Sequence, residues 1–143
     1  MKTLLLTIGL PRSGKSTWAI EKGYPIVNRD SIRFAIGGSI RYFEEEERVS
    51  EIEKIMVISL FKAGHDHVII DATHLKEKYR QEWEQKIPYF PCIKIEYVRF
   101  NTSLEECIER AIKSCPEEKD FPSIIREMWN NAEIDFKIPE RKL

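Results

Sequence analysis

The residues of this chain best suited to chemistry are a lysine, a serine, two aspartates and two arginines: Lys15, Ser16, Asp30, Asp71, Arg33 and Arg110. The first two lie in Gly9-Leu10-Pro11-Arg12-Ser13-Gly14-Lys15-Ser16-Thr17, which has the spacing G-x4-G-K-S of a P-loop. Glycines let the backbone curl so that successive N–H groups point inward and form an anion nest. A helix opening at Lys15 adds its N-terminus and dipole to the same nest. The ligand for such a loop, from Gly9 through Pro11, Arg12, Ser13 and Gly14 to Thr17, is ATP or another NTP. In it Lys15 reaches the β- and γ-phosphates, and the Ser16 hydroxyl ligates Mg2+.

Phosphoryl transfer needs the γ-phosphate in line with an acceptor, charge neutralised on its oxygens, and a base near the acceptor hydroxyl. Asp30, at the end of an apolar stretch, is the first choice for that base. The alternative is that Asp30, or Ser31, caps the next helix, and the two roles are compatible. Arg33 follows three residues on, one helical turn away. It is either a bidentate ligand for an acceptor's phosphate or a surface arginine. Asp71 closes a second apolar stretch as a Walker B acid would. It could hold Mg2+ through water, organise an acceptor pocket through Thr73 and His74, or act as a structural cap. Arg110 lies where P-loop kinases carry a mobile helical lid, and could neutralise the transferring phosphoryl group or simply be solvated.

The elements that must position these groups are legible from pattern. Leu4 to Ile8 reads as a buried parallel strand feeding the loop, and Thr17 to Lys22 as helix stopping at Gly23. Pro25 to Asn28 reads as the second strand, with a short helix after it ended by Gly37-Gly38. Glu46 to Lys62 reads as an amphipathic helix with Val49, Ile52, Ile55, Met56 and Leu60 on its apolar face; the glutamates at 44–47 read as its solvated start. His67 to Asp71 is a third, central strand. Lys76 to Lys86 is a helix ended before Pro88, with Lys76, Lys78 and Arg80 on a solvated face. Cys92 to Phe100 is a fourth strand nearer the edge. Helices over Leu104 to Lys113, capped from 101–103, and Phe121 to Ile134 precede a loose tail. The alternation predicts an α/β domain over 1–143, a parallel sheet with helices on both faces. In such sheets ligands sit beyond the carboxyl ends of the strands, which puts Asp30 in the same crevice as the P-loop.

Composition narrows the function classes. A chain of 143 residues, 42% hydrophobic and 33% charged, fits one soluble domain. The net charge of −1 argues against coating long nucleic acid, so any nucleic-acid contact should be short and local. Cys92, Cys107 and Cys115 lack metal-binding spacing. With no secretory signal or membrane span, they read as reduced thiols of a cytoplasmic protein. Gly64-His65-Asp66-His67 has no third metal ligand. Trp18, Trp83 and Trp129 read as core contacts.

Several of these motifs together resemble the kinase domain of the bacteriophage 5′-polynucleotide kinases. The resemblance rests on T-I-G-x-P-x-S-G-K-S-T-W-A (Thr7 to Ala19), N-R-D-x-x-R (Asn28 to Arg33) and Asp71-Ala72-Thr73-His74, with Arg110 following at a lid-like distance. It implies transfer of the ATP γ-phosphate to the 5′-hydroxyl of DNA or RNA, in nucleic-acid end repair, in phage or host cytosol. It also implies Lys15 on the phosphates, Ser16 on Mg2+, Asp30 as general base and Arg33 on the acceptor's 3′-phosphate. Asp71, with Thr73, would support the acceptor site, and Arg110 the transition state. Similarity to nucleotide kinases implies a four-stranded P-loop NTPase sheet of order 2-3-1-4 with a helical lid. The sequence departs from the family at Arg12, where a glycine is usual, and at Ser114, where a second lid arginine is usual. It has no D-x-D-x-T phosphatase motif, so a phosphatase or ligase would be a separate partner; a homo-oligomer is compatible with the sequence. The competing readings are a P-loop kinase of a small metabolite or an aminoacyl-tRNA, and a non-catalytic ATP-binding switch.

Overall fold

Four short apolar runs, each closed by a polar residue or a glycine turn, form one parallel sheet. The computed structural model describes residues 2–38, 46–87 and 93–132. Its strands are β1 (Lys2–Ile8), β2 (Ile26–Asn28), β3 (His67–Asp71) and β4 (Ile93–Arg99). They pair in the order β2-β3-β1-β4, every pairing parallel, as the 2-3-1-4 expectation had it. The helices are α1 (Lys15–Lys22), α2 (Arg29–Gly37), α3 (Glu46–Lys62), α4 (Glu77–Lys86), α5 (Leu104–Ser114) and α6 (Phe121–Asn131). Parallel strands need crossovers, and the helices that supply them cover both faces.

The strand period of two sorts the core. Leu4, Leu6, Val27, Val68 and Ile70 point to one face and bury against Ile32 of α2, Val49, Val57 and Phe61 of α3, and Trp83 of α4. Leu5 and Ile69 point to the other, against Ala19 of α1, with Trp18 beside them. Beyond the end of β1, Ile8 and Leu10 pack with Cys107, Ile108 and Ala111 of α5 and Ile125 of α6; Trp129 packs at its margin. The three tryptophans are core contacts, as expected.

Some expectations need correction. The buried stripe of α3 is Val49, Glu53, Val57 and Phe61, whereas Ile55 and Met56 are exposed. The stripe follows i+4 spacing and accepts a glutamate because Arg29 reaches in to pair with it. Glu46 is likewise no purely solvated glutamate, since it pairs with Arg29 and Arg33. Arg80 is buried, and its guanidinium donates to the His74 carbonyl at 2.9 Å instead of lying on a solvated face. The cap of α2 is Asn28, whose Oδ1 accepts from the Ser31 amide at 2.9 Å; neither Asp30 nor Ser31 caps it. The helix begins two residues earlier than an Asp30 cap would require. Cys92, Pro88, the glutamates at 44 and 45, and the tail after residue 132 lie outside the described residues. No described helix is long and apolar enough to cross a membrane.

Candidate active site

Parallel register brings the polar strand ends to one edge. Asn28 of β2 stands beside Asp71 of β3, and Leu6 of β1 beside Ile70, so the loop at Gly9 starts near the end of the strand that carries Asp71. Two glycines make the loop possible. A Cβ on Gly9 would come within 2.7 Å of Ser13 Oγ and 3.0 Å of Phe100 Cβ, and Gly14 has φ +102°, a left-handed conformation that opens α1. Arg12 is also left-handed, at φ 65°, which is the physical reason a glycine suits that position. Its guanidinium turns to the end of α5, donating to Cys115 Sγ at 2.9 Å and lying 5.6 Å from the Phe121 ring.

Lys15 folds back onto its own loop, donating to the carbonyls of Gly9 at 3.0 Å and Leu10 at 2.6 Å. Burial pushes its ammonium down to about 8, against the pull of Asp71, Cys107 and Asp30. Both acids thus act on the P-loop cation. Ser16 Oγ donates to Asp71 Oδ2 at 2.7 Å, and Asn28 Nδ2 reaches the same oxygen at 3.4 Å. The Ser16 hydroxyl, which is exposed, and the buried Asp71 carboxylate are hard oxygen donors of the kind that suits Mg2+, which takes one or two protein ligands beside phosphate and water. Among the described residues no group of three or more His, Cys, Asp or Glu could hold a metal ion. His67 instead stacks on Tyr24 with centroids 4.4 Å apart.

Asp30 and Arg33 meet across one turn of α2, Nη1 to Oδ1 at 2.8 Å. The Asp30 carboxylate stays largely exposed while the Arg33 guanidinium is mostly covered. Arg33 also grips Glu46 with both Nε and Nη2. Burial works against its charge, but Glu46 and Asp30 hold it above the ordinary arginine range. Burial raises Glu46 too, and Arg33 and Arg29 outweigh it, leaving that carboxyl below its usual range. Arg29 donates to Glu53 at 2.9 Å and Ser50 at 3.1 Å. Glu53 is 1% exposed and raised by burial, and its second oxygen has no hydrogen-bond partner. An acidic stretch of α3 therefore sets the pose of the arginines on α2.

The loop after β3 is tied to the P-loop strand. Thr7 Oγ1 sits 2.9 Å from Ala72 O and 3.2 Å from Ile70 O, and accepts from the Ala72 amide at 3.1 Å. Gly9 N donates to Thr73 O at 3.1 Å. His74, left-handed at φ 44°, places Nδ1 2.8 Å from Thr7 O. A carbonyl only accepts, so Nδ1 carries the proton. Burial holds this imidazole down to about 4, neutral at pH 7. His74 thus bonds to β1, whereas Asp71 bonds to Ser16 and Asn28. Arg110 of α5 donates to Arg12 O at 3.1 Å and to Glu106 at 2.7 Å, which stations it at the rim of the P-loop. Ser114, which stands where the resemblance expects a second arginine, donates its hydroxyl to the Arg110 carbonyl at 2.7 Å.

The sequence alone gives no site role to Thr7 or Glu53, places Asn28 and Arg29 only in the N-R-D-x-x-R resemblance, and reads Glu46 only as a solvated helix start. Thr7 had a signal, a lone hydroxyl in an apolar strand, and so did Asn28, a capping residue at a strand–helix junction. The α2–α3 ion pairs are long-range and have none.

Residues 4–130 match the model of the AAA domain family. This chain belongs to that family. The domain is also similar to a chain of the Pnkp1/Rnl/Hen1 complex, at 30% identity over 84% of this chain and 44% of that one, with TM-score 0.68. A second such structure, of the Pnkp1/Rnl/Hen1 RNA repair complex, matches at 25% identity over 92% of this chain and 46% of the other, TM-score 0.70. The domain spans less than half the length of those two chains. A gluconokinase from Sinorhizobium meliloti 1021 shares the fold, at 20% identity over 92% of this chain and 75% of that one, TM-score 0.57. The fold is that of an ATP-binding P-loop kinase.

Proposed function

We propose that this domain transfers the γ-phosphate of ATP to the 5′-hydroxyl of a DNA or RNA end. The observation that carries the proposal is the Asp30–Arg33 pair at 2.8 Å, set on the helix that leaves the strand end beside Asp71. The likeness to chains of an RNA repair complex supports a nucleic-acid acceptor. In this reading the triphosphate lies on the amides from Gly9 to Thr17, and Lys15 exchanges its two carbonyl partners for phosphate oxygens. Ser16 and Asp71 would hold Mg2+, which when bound neutralises charge on the β- and γ-oxygens. Arg33 binds the acceptor's 3′-phosphate and presents its 5′-hydroxyl to Asp30. The oxygen attacks phosphorus, the bond to the β-phosphate oxygen breaks, ADP departs, and Asp30 takes the hydroxyl proton. Arg110 moves from the Arg12 carbonyl to the transferring group. Thr73 lines the acceptor side. A repair phosphatase or ligase would be supplied by another segment or chain.

The test is ATP labelled in its γ-phosphate, offered with a 5′-hydroxyl oligonucleotide, a nucleoside 3′-monophosphate and a panel of sugars and other metabolites. Label should enter the first two. Label in a metabolite and no oligonucleotide would make this a metabolite kinase, and hydrolysis indifferent to every acceptor would make it a switch.

A further inference from the structure

We infer that Phe34 is the stacking platform for the terminal base of the acceptor, an inference that rests on the 5′-kinase reading above. Phe34 is the most exposed aromatic side chain among the described residues, at 61%. Tyr79 and Tyr97, the other exposed aromatics, have polar tips, and that of Tyr97 is hydrogen-bonded to Glu84. Phe34 has no such tip, and the buried face of its helix is carried by Ile32 instead. A lone exposed apolar residue is ordinary, so its place decides the argument.

Phe34 follows Asp30 by four residues and Arg33 by one on α2. At helical spacing, residues four apart share a face with Cβ atoms about 6 Å apart. Long helical side chains also lean toward the helix N-terminus, over the preceding turn. Helix geometry thus puts position 34 on the face of the turn that carries Asp30, with Arg33, paired to Asp30, on its other flank. A nucleotide whose 5′-hydroxyl meets Asp30 and whose 3′-phosphate meets Arg33 has one part left to place, its base. A π-face with no polar group suits any base, because each offers a face of its own and none needs edge recognition. A sugar or polyol acceptor has no π-face of its own and gains less from the ring than a base does. Phe34 thus separates nucleotide-bearing acceptors from small hydroxylated metabolites without imposing a base sequence.

Two acceptors test this: an oligonucleotide with a normal 5′-hydroxyl terminal nucleotide, and the same oligonucleotide with an abasic 5′-hydroxyl residue. Phe34→Ala should raise KM for the first about tenfold, in line with the loss of one stacked base, and leave KM for the second and for ATP unchanged. Phe34→Trp should restore the preference. Equal loss on both acceptors, or no loss on either, overturns the inference while leaving the kinase reading intact. Wild-type protein that phosphorylates neither oligonucleotide overturns the kinase reading, and this inference with it.

Discussion

Lys15 illustrates how one buried charge is tuned by what the loop lacks. With only carbonyls for close partners its ammonium is held to about 8, below the 10.5 of an exposed lysine. Between those values the unfolded chain holds more protons than the folded one. This group's contribution to stability therefore rises with pH across that window. A bound triphosphate surrounds the amine with negative charge and returns its affinity for a proton. ATP binding at pH 8.5 should accordingly take up a proton, and at pH 6.5 Lys15 should contribute none. Calorimetric titrations in two buffers of different ionisation enthalpy measure the uptake, and Lys15→Met should abolish it. Uptake equal at both pH values would contradict the burial argument. Arg33 shows the complementary case: its fork is fully employed by Glu46 and Asp30, so an acceptor phosphate must displace a carboxylate to bind it.

At the scale of elements, the joint between β1 and the loop after β3 ties the P-loop strand to the end of β3. Thr7 forms it from β1, and Ala72 and His74 from the loop. His74 is neutral in the fold and titrates near 4 there, against 6.5 when exposed. As pH falls through that interval the unfolded chain gains a proton that the folded one refuses, and stability declines. His74→Asn accepts the left-handed backbone, so it should fold and lose this component of acid sensitivity. Urea unfolding at pH 7 and pH 5 checks it; an unchanged pH dependence in the variant would assign the sensitivity elsewhere. The same elements show what a reader of the chain alone can reach. Strand and helix periodicity gave the four strands, their order through the likeness to nucleotide kinases, and the P-loop. The ends of the second and third apolar stretches pointed to Asp30 and Asp71, and helical spacing from Asp30 pointed to Arg33; the structure sets Asp71 at the end of β3 and Asp30 and Arg33 on the first turns of α2. Periodicity missed that α3 buries Glu53 in place of Ile55 and Met56, and that Arg80 turns inward to His74. Those outcomes depend on a partner many residues away, and local spacing holds no record of it.

At the scale of the whole molecule, the sheet is a plate that aligns three strand ends, and α5 and α6 close over one side of them. Arg12 joins the two parts: its side chain meets Cys115 and Phe121, and its carbonyl receives Arg110. The P-loop and the α5–α6 pair therefore share a residue, and in the proposed mechanism any movement of Arg110 toward phosphate would break its contact with the loop carbonyl. On this account the domain works as a meeting place, with the triphosphate held from the β1 side and the alcohol from the β2 side, and Asp30 between them. Asp30 caps no helix, so its removal should leave the scaffold standing. The most direct measurement compares wild type and Asp30→Asn for the rate of γ-phosphate transfer to a 5′-hydroxyl oligonucleotide, alongside the Kd for ATP. A rate lowered about a hundredfold or more with Kd nearly unchanged is the predicted result. Transfer at the wild-type rate, or ATP affinity lost in step with the rate, would contradict it.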